Sequence, residues 1–148
     1  KGLGAPIGSL VCGPAELIRE ARRIWILYGG AWRQAGIMAA AGLIALDEGR
    51  TRIVDDHARA RRLAEAIAEI LPGGVDLDMV ETNMVFVHTE AMGLDALETI
   101  ERLAALGVGA VPVTGAVRMV THVDVDDDGI GYAIDAWRSV VAGAAKEP

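Results

Sequence analysis

The chain reads as an α/β protein on three observations. Its apolar mass is aliphatic: 52% of the residues are hydrophobic but only 4% aromatic, a mixture suited to packed layers of helix and strand. Its periodicity changes, from long helical stretches up to about residue 71 to shorter helices and strands beyond. Glycine and proline fall mostly between those runs, where they punctuate the chain. With 148 residues there is enough chain for about one domain and a real core.

The elements follow in order. Ile7–Cys12 predicts a short buried strand, with Cys12 as a buried structural thiol. Gly13-Pro14 opens a helix, because proline is favoured in a first turn and Glu16 suits the positive end of the dipole. That helix runs to about Leu27 and stops at Gly29-Gly30. A second, from Trp32 or Arg33 to Glu48, is apolar nearly all round (Ile37, Met38, Leu43, Ile44, Leu46). A helix with no wet face is expected to be buried on every side, here against another domain or subunit. A third helix, Thr51–Leu71, is amphipathic, with Ile53, Leu63, Ile67 and Ile70 inward and Asp56, Arg59, Arg62, Glu65 and Glu69 outward. Pro72-Gly73-Gly74 ends it.

Beyond a change of composition at about 49–73, Val75–Leu77 and Met84–Val87 predict strands and Leu94–Leu106 a helix. Val108–Val113 and Ala116–Val123 predict two more strands, joined by a tight turn at Thr114-Gly115. Asp126–Ala142 predicts a closing helix. The aspartates of Asp124–Asp128 superficially resemble a calcium loop but lack its twelfth-position glutamate, so a helix cap is expected of them.

Several function classes are set aside. A net charge of −7 argues against a general nucleic-acid binder. No apolar run approaches the ~20 residues of a membrane span. No secretory leader pattern opens the chain, and a single cysteine fits a reducing cytoplasm. No metal-ligand spacing is present.

Three segments carry chemistry. Lys1-Gly2-Leu3-Gly4-Ala5-Pro6-Ile7-Gly8-Ser9 has little helix propensity, so it predicts a loop whose backbone can approach a ligand closely. Lys1 offers an amine that can attack a carbonyl cofactor, for which pyridoxal phosphate is the usual partner. The plainer reading is a solvated loop lysine. Gly29-Gly30-Ala31-Trp32-Arg33-Gln34-Ala35-Gly36 leads into a helix start, where free N–H groups and the Arg33 fork favour an anion. The plainer reading is a solvent-facing arginine. In Val117–Asp124, Arg118 stands inside an apolar strand and needs a carboxylate, either a ligand's or an internal Asp or Glu. His122 shares strand parity with Arg118, though a hydrogen-bonded structural role is expected of it; His57 reads as solvated, and His88 has no assignment.

Taken in order, K-G-L-G-A-P-I-G-S, G-G-A-W-R-Q-A-G, T-N-M-V-F-V (Thr82–Val87) and V-R-M-V-T-H-V-D-V resemble the C-terminal portion of low-specificity L-threonine aldolases, pyridoxal-phosphate enzymes of the aspartate-aminotransferase fold. The resemblance covers essentially the whole chain. It implies that residues 1–50 close the large cofactor domain and that 51–148 form the small C-terminal α/β domain. It implies that Lys1 is the catalytic lysine that carries the cofactor, that Arg33 approaches the cofactor phosphate, and that Arg118 binds the substrate α-carboxylate. The large domain upstream of Lys1 is expected to supply the ring-stacking group and the general base, with Lys1 internal in the native protein. Homo-oligomers, dimer or tetramer, with shared active sites are expected. Two positions depart from the family pattern: Ile26 stands where a lysine is usual, and Ala31 where a third glycine is usual.

The activity so implied is cleavage of threonine or allo-threonine to glycine and an aldehyde. A β-eliminating or alanine-racemising relative would share Lys1 and Arg118. A non-catalytic α/β module for binding or assembly would need neither.

Overall fold

The computed structural model describes residues 2–145, so Lys1 lies outside the described residues. The chain divides into two compact units, one ending at Thr51 and one beginning at Arg52.

The first unit holds helix α1 (Ala15–Leu27) and helix α2 (Gly36–Ile44). Gly2–Pro14 contains no strand, which corrects the expectation for Ile7–Cys12. No described strand offers that run a hydrogen-bonding partner, Gly8 adopts φ +142°, and Leu10, Val11 and Cys12 are exposed. The end of α1 was legible. Tyr28 caps it, Gly29 takes φ +82°, Gly30 N–H donates to the Trp25 carbonyl at 2.7 Å and Gly29 N–H to Ile26 at 3.1 Å. That pair of bonds closes a helix around a left-handed residue, for which glycine has no Cβ penalty. A Cβ on Gly30 would overlap the Trp25 indole, so a side chain there would displace that ring.

α2 begins at Gly36, later than expected, and does not stop at Glu48. A π-helical turn, Ala45–Gly49, carries the chain into α3 (Arg50–Ile70). None of α2's residues is buried, and Ile37 is 79% exposed. The expected burial is therefore not supplied by the described residues of this unit.

The second unit is a three-stranded antiparallel sheet with helices on one face. Strand β1 is Met84–Val87, helix α4 Ala96–Ala105, β2 Val111–Val113, β3 Ala116–Val120 and helix α5 Asp127–Ala144. The order is β1-β3-β2, so α4 crosses between two parallel strands and the central place is filled by β3. Thr114-Gly115 makes the β2–β3 turn, Gly115 at φ +72°, with Val113 paired to Ala116. Val75–Leu77 is not a strand. Asp76 accepts a hydrogen bond from the Asp78 amide at 3.1 Å and turns the chain into a short 3-10 helix, Leu77–Met79.

The core lies between one sheet face and α3, α4 and α5: Val85, Val87, Val117 and Met119 meet Leu63, Ile67, Leu103, Ile130 and Trp137. Trp137 is fully buried, its indole N–H donating to Met119 Sδ at 3.0 Å. Asp95 and Asp126 cap α4 and α5 through the amides of Glu98 and Gly129, both at 2.8 Å. The second of these is the capping role expected of the aspartate run.

One outward assignment on α3 is overturned. Asp56 is 1% exposed, because it lies on the Ala60, Leu63, Ile67 stripe and is neutralised by Arg52 at 3.0 Å and Arg59 at 3.9 Å.

Candidate active site

Strand alternation places Arg118 on the sheet face opposite the core. Its direct neighbours there are Phe86 across β1 and Val111 across β2. That open face also carries Met84 and Val120, and none of the four is buried. Arg118 itself is half-buried, and its Nε is buried with no hydrogen-bond partner. Among the described residues it makes no ion pair, so the internal salt bridge that would have explained it plainly is not made. An arginine donor on an apolar surface without a partner is chemically able to meet an anion, and a carboxylate matches its fork.

A groove of about 500 Å³ continues from Phe86 towards the β2–β3 turn, bounded by Met79, Val113 and His88. His88 shares a hydrogen at 3.2 Å between its Nδ1 and the Gly115 carbonyl, which ties β1 to that turn. His122 lies just past β3, accepts the Asp124 amide on Nδ1 at 3.2 Å and sits 3.4 Å from the Asp124 carboxylate. Its role is the structural one expected.

In the first unit, Arg33 lies in the turn before α2, three residues ahead of the helix start, and is exposed with no partner among the described residues. Ala31, two residues earlier, is held at φ +90°, a conformation that non-glycine residues adopt at a cost. The loop after Lys1 is seated by backbone packing. Gly49, in the π-turn, is buried, and a Cβ there would overlap the Leu3 carbonyl. Sequence reasoning did not find Gly49; its only signal was a glycine inside a helical pattern. Lys1 lies outside the described residues. Arg33 and Arg118 thus fall in different units.

The sheet unit with helices on one face and the unpaired Arg118 on its open side are the features against which the family can be read. The chain belongs to the beta-eliminating lyase family, whose model matches residues 1–92. It is 37% identical over 142 residues to the low specificity L-threonine aldolase of Escherichia coli (strain K12), covering 96% of this chain and 41% of that protein. It is 35% identical over 142 residues to the probable low-specificity L-threonine aldolase 2 of Arabidopsis thaliana, covering 95% and 40%. It is 36% identical over 151 residues to the aldolase vrtJ of Penicillium aethiopicum, covering 100% and 37%. The chain therefore spans about 40% of the length of these relatives. The family is one of pyridoxal-phosphate-dependent enzymes, as the resemblance implied.

Among the described residues, no helix is long and apolar enough to cross a membrane.

Proposed function

We propose that this chain forms part of a pyridoxal-phosphate-dependent aldehyde-lyase that splits β-hydroxy-α-amino acids, threonine and allo-threonine among them, into glycine and an aldehyde. The observation that carries the reading is Arg118, whose buried Nε has no partner on an otherwise apolar sheet face. The likeness to threonine aldolases over nearly the whole chain supports the same reaction.

The chemistry of Lys1 and Arg33 suits the cofactor. Lys1 is the amine that would hold it covalently, and Arg33, free of any described partner, would meet its phosphate. When bound, pyridoxal phosphate supplies the sink for the electron pair released as the Cα–Cβ bond breaks. This chain's contribution is to bind and orient. Arg118 receives the α-carboxylate through two parallel N–H···O bonds, which hold the amino acid at the site. The β-hydroxyl proton passes to a base outside this segment. As the aldehyde departs, Cα takes a proton and glycine remains. Since Arg118 grips a group that does not change in the reaction, it binds ground and transition states alike.

Residues up to about 50 act as the end of the large cofactor domain and 51–148 as the small domain. The exposed apolar surface of α1 and α2 supports a homo-oligomer, dimer or tetramer, or a covering domain of the same enzyme, with residues contributed across the interface. The single cysteine supports a cytoplasmic site of action.

The family's description favours a second reading, in which the enzyme eliminates a β-substituent and releases pyruvate and ammonia. Incubating the holoenzyme with threonine and with a β-substituted alanine separates them. Glycine and acetaldehyde are expected; pyruvate and ammonia without acetaldehyde would overturn the aldolase reading.

A further inference from the structure

The motifs containing Thr82–Val87 and Val117–Asp124 include two polar residues, Asn83 and Thr121, that the reaction leaves without a role. The structure joins them. Thr121 N–H donates to the Asn83 carbonyl at 3.0 Å, and Asn83 Nδ2 donates back to the Thr121 carbonyl at 2.7 Å. Thr121 Oγ1 donates to the Asp56 carbonyl on α3 at 2.7 Å, with the Asn83 carbonyl 3.4 Å from the same oxygen. Thr121 is 2% exposed, so this hydroxyl has no water to turn to.

The ladder to β1 otherwise ends one residue earlier, at Met84↔Val120. Short strands fray at their ends, and β1 has only four residues and β2 three. The Thr114-Gly115 turn closes one end of β3. The Asn83–Thr121 ring closes the other and ties it to a helix whose Asp56 is itself fixed by Arg52. Arg118 lies between these two anchors. With no partner of its own, its side chain is aimed only by the β3 backbone beneath it.

We propose that Asn83 and Thr121 are positioning residues, a clamp that sets the register and aim of Arg118 and through it the affinity for the substrate carboxylate. The inference rests on the reading of Arg118 given above. Losing one charge-assisted hydrogen bond of that fork costs roughly 10- to 100-fold in affinity. Because Arg118 binds both states alike, the loss should fall on KM and spare kcat.

The test uses the holoenzyme with threonine, in a cycle of Thr121→Val, Arg118→Leu and the double variant, with Thr121→Ser and Asn83→Ala beside it. Amide hydrogen exchange over residues 116–121 of the same proteins is read without substrate. Expected are a rise of about tenfold or more in KM for Thr121→Val and Asn83→Ala, kcat within about twofold, and recovery in Thr121→Ser. Exchange over β3 should quicken in the first two variants, and Thr121→Val should add nothing to KM in the Arg118→Leu background. An unchanged KM in Thr121→Val, an equal rise in both backgrounds, or unaltered exchange over β3 would overturn the clamp. In each of those failures Arg118→Leu alone still raises KM. If it does not, the role of Arg118 fails first and the clamp falls with it. Should Thr121→Val not fold, Asn83→Ala decides by the same criteria.

Discussion

Replacing Arg118 should separate stability from function in opposite directions. A buried donor left without a partner costs about 1–3 kcal/mol. Arg118→Leu removes that donor and sets an apolar side chain beside Phe86 and Val111, on a face that is already apolar. Without substrate, the variant should therefore unfold at the same urea concentration as the parent or a higher one, with up to about 1 kcal/mol gained. With substrate the sign reverses. Removing one partner of a hydrogen-bonded charge pair costs about 2–5 kcal/mol, and about 1.4 kcal/mol is a factor of ten. The expected loss in kcat/KM is thus roughly 30- to 3,000-fold. Arg118→Lys keeps the charge and loses the fork, so about 10- to 100-fold is expected, again in KM. Urea denaturation and steady-state cleavage of threonine measure the two halves. An Arg118→Leu protein weakened by more than about 2 kcal/mol would mean that the guanidinium is structurally partnered. An unchanged KM would remove it from the site.

Three further outcomes test the first unit. Ala31→Gly should stabilise the protein by about 1 kcal/mol in urea, because glycine relieves φ +90° at a smaller entropic cost; a loss of stability would refute strain at that position. Gly49→Ala should cost about 1–3 kcal/mol and weaken pyridoxal-phosphate retention in a titration of the apoprotein, since the Leu3 backbone must move; unaltered cofactor affinity would uncouple the π-turn from the lysine loop. Arg23, donating to Glu20 at 2.6 Å, holds that carboxyl below its ordinary value. Such a depressed group contributes stability above its unfolded pKa and loses it as the pH falls through the folded one. The pair is fully exposed and screened, so any pH-dependent difference between Glu20→Gln and the parent should vanish in high salt, and one that persists would contradict this.

The parts of the fold that could be read from the sequence are those set by local chemistry. Gly29-Gly30 ends α1, Thr114-Gly115 turns β2 into β3 and Asp126 caps α5, because each depends on a backbone angle or an amide within a few residues. The misreadings depend on distant partners. Ile7–Cys12 has strand composition, but a strand exists only where another edge pairs with it, and none of the described strands does. The Asp76 carboxylate diverted Val75–Leu77 into a turn. Gly49-Arg50-Thr51 looked like a break, yet a π-turn absorbs the extra residue and the helix continues. Asp56 was assigned outward by its charge, although its spacing from Ala60, Leu63 and Ile67 (i, i+4, i+7, i+11) already placed it on the buried stripe. Arg118 was legible as a charge needing a carboxylate; that none of the described carboxylates meets it could only be learned from the structure.

The sheet assigns its two faces to different tasks, and β3 makes the assignment. Val117, Met119 and Thr121 point into the core, where their contacts are satisfied, while Arg118 and Val120 point out. A slip of one residue in β3 would reverse both sets at once, driving the Arg118 guanidinium towards Trp137 and exposing Val117 and Met119. The energetic penalty for that slip is large, because a buried unpaired charge and a lost apolar surface add together. The packing that stabilises the unit therefore also selects the face on which Arg118 stands. What packing alone leaves loose is the finer aim of a side chain that touches no partner, and that aim depends on how firmly the two ends of β3 are held.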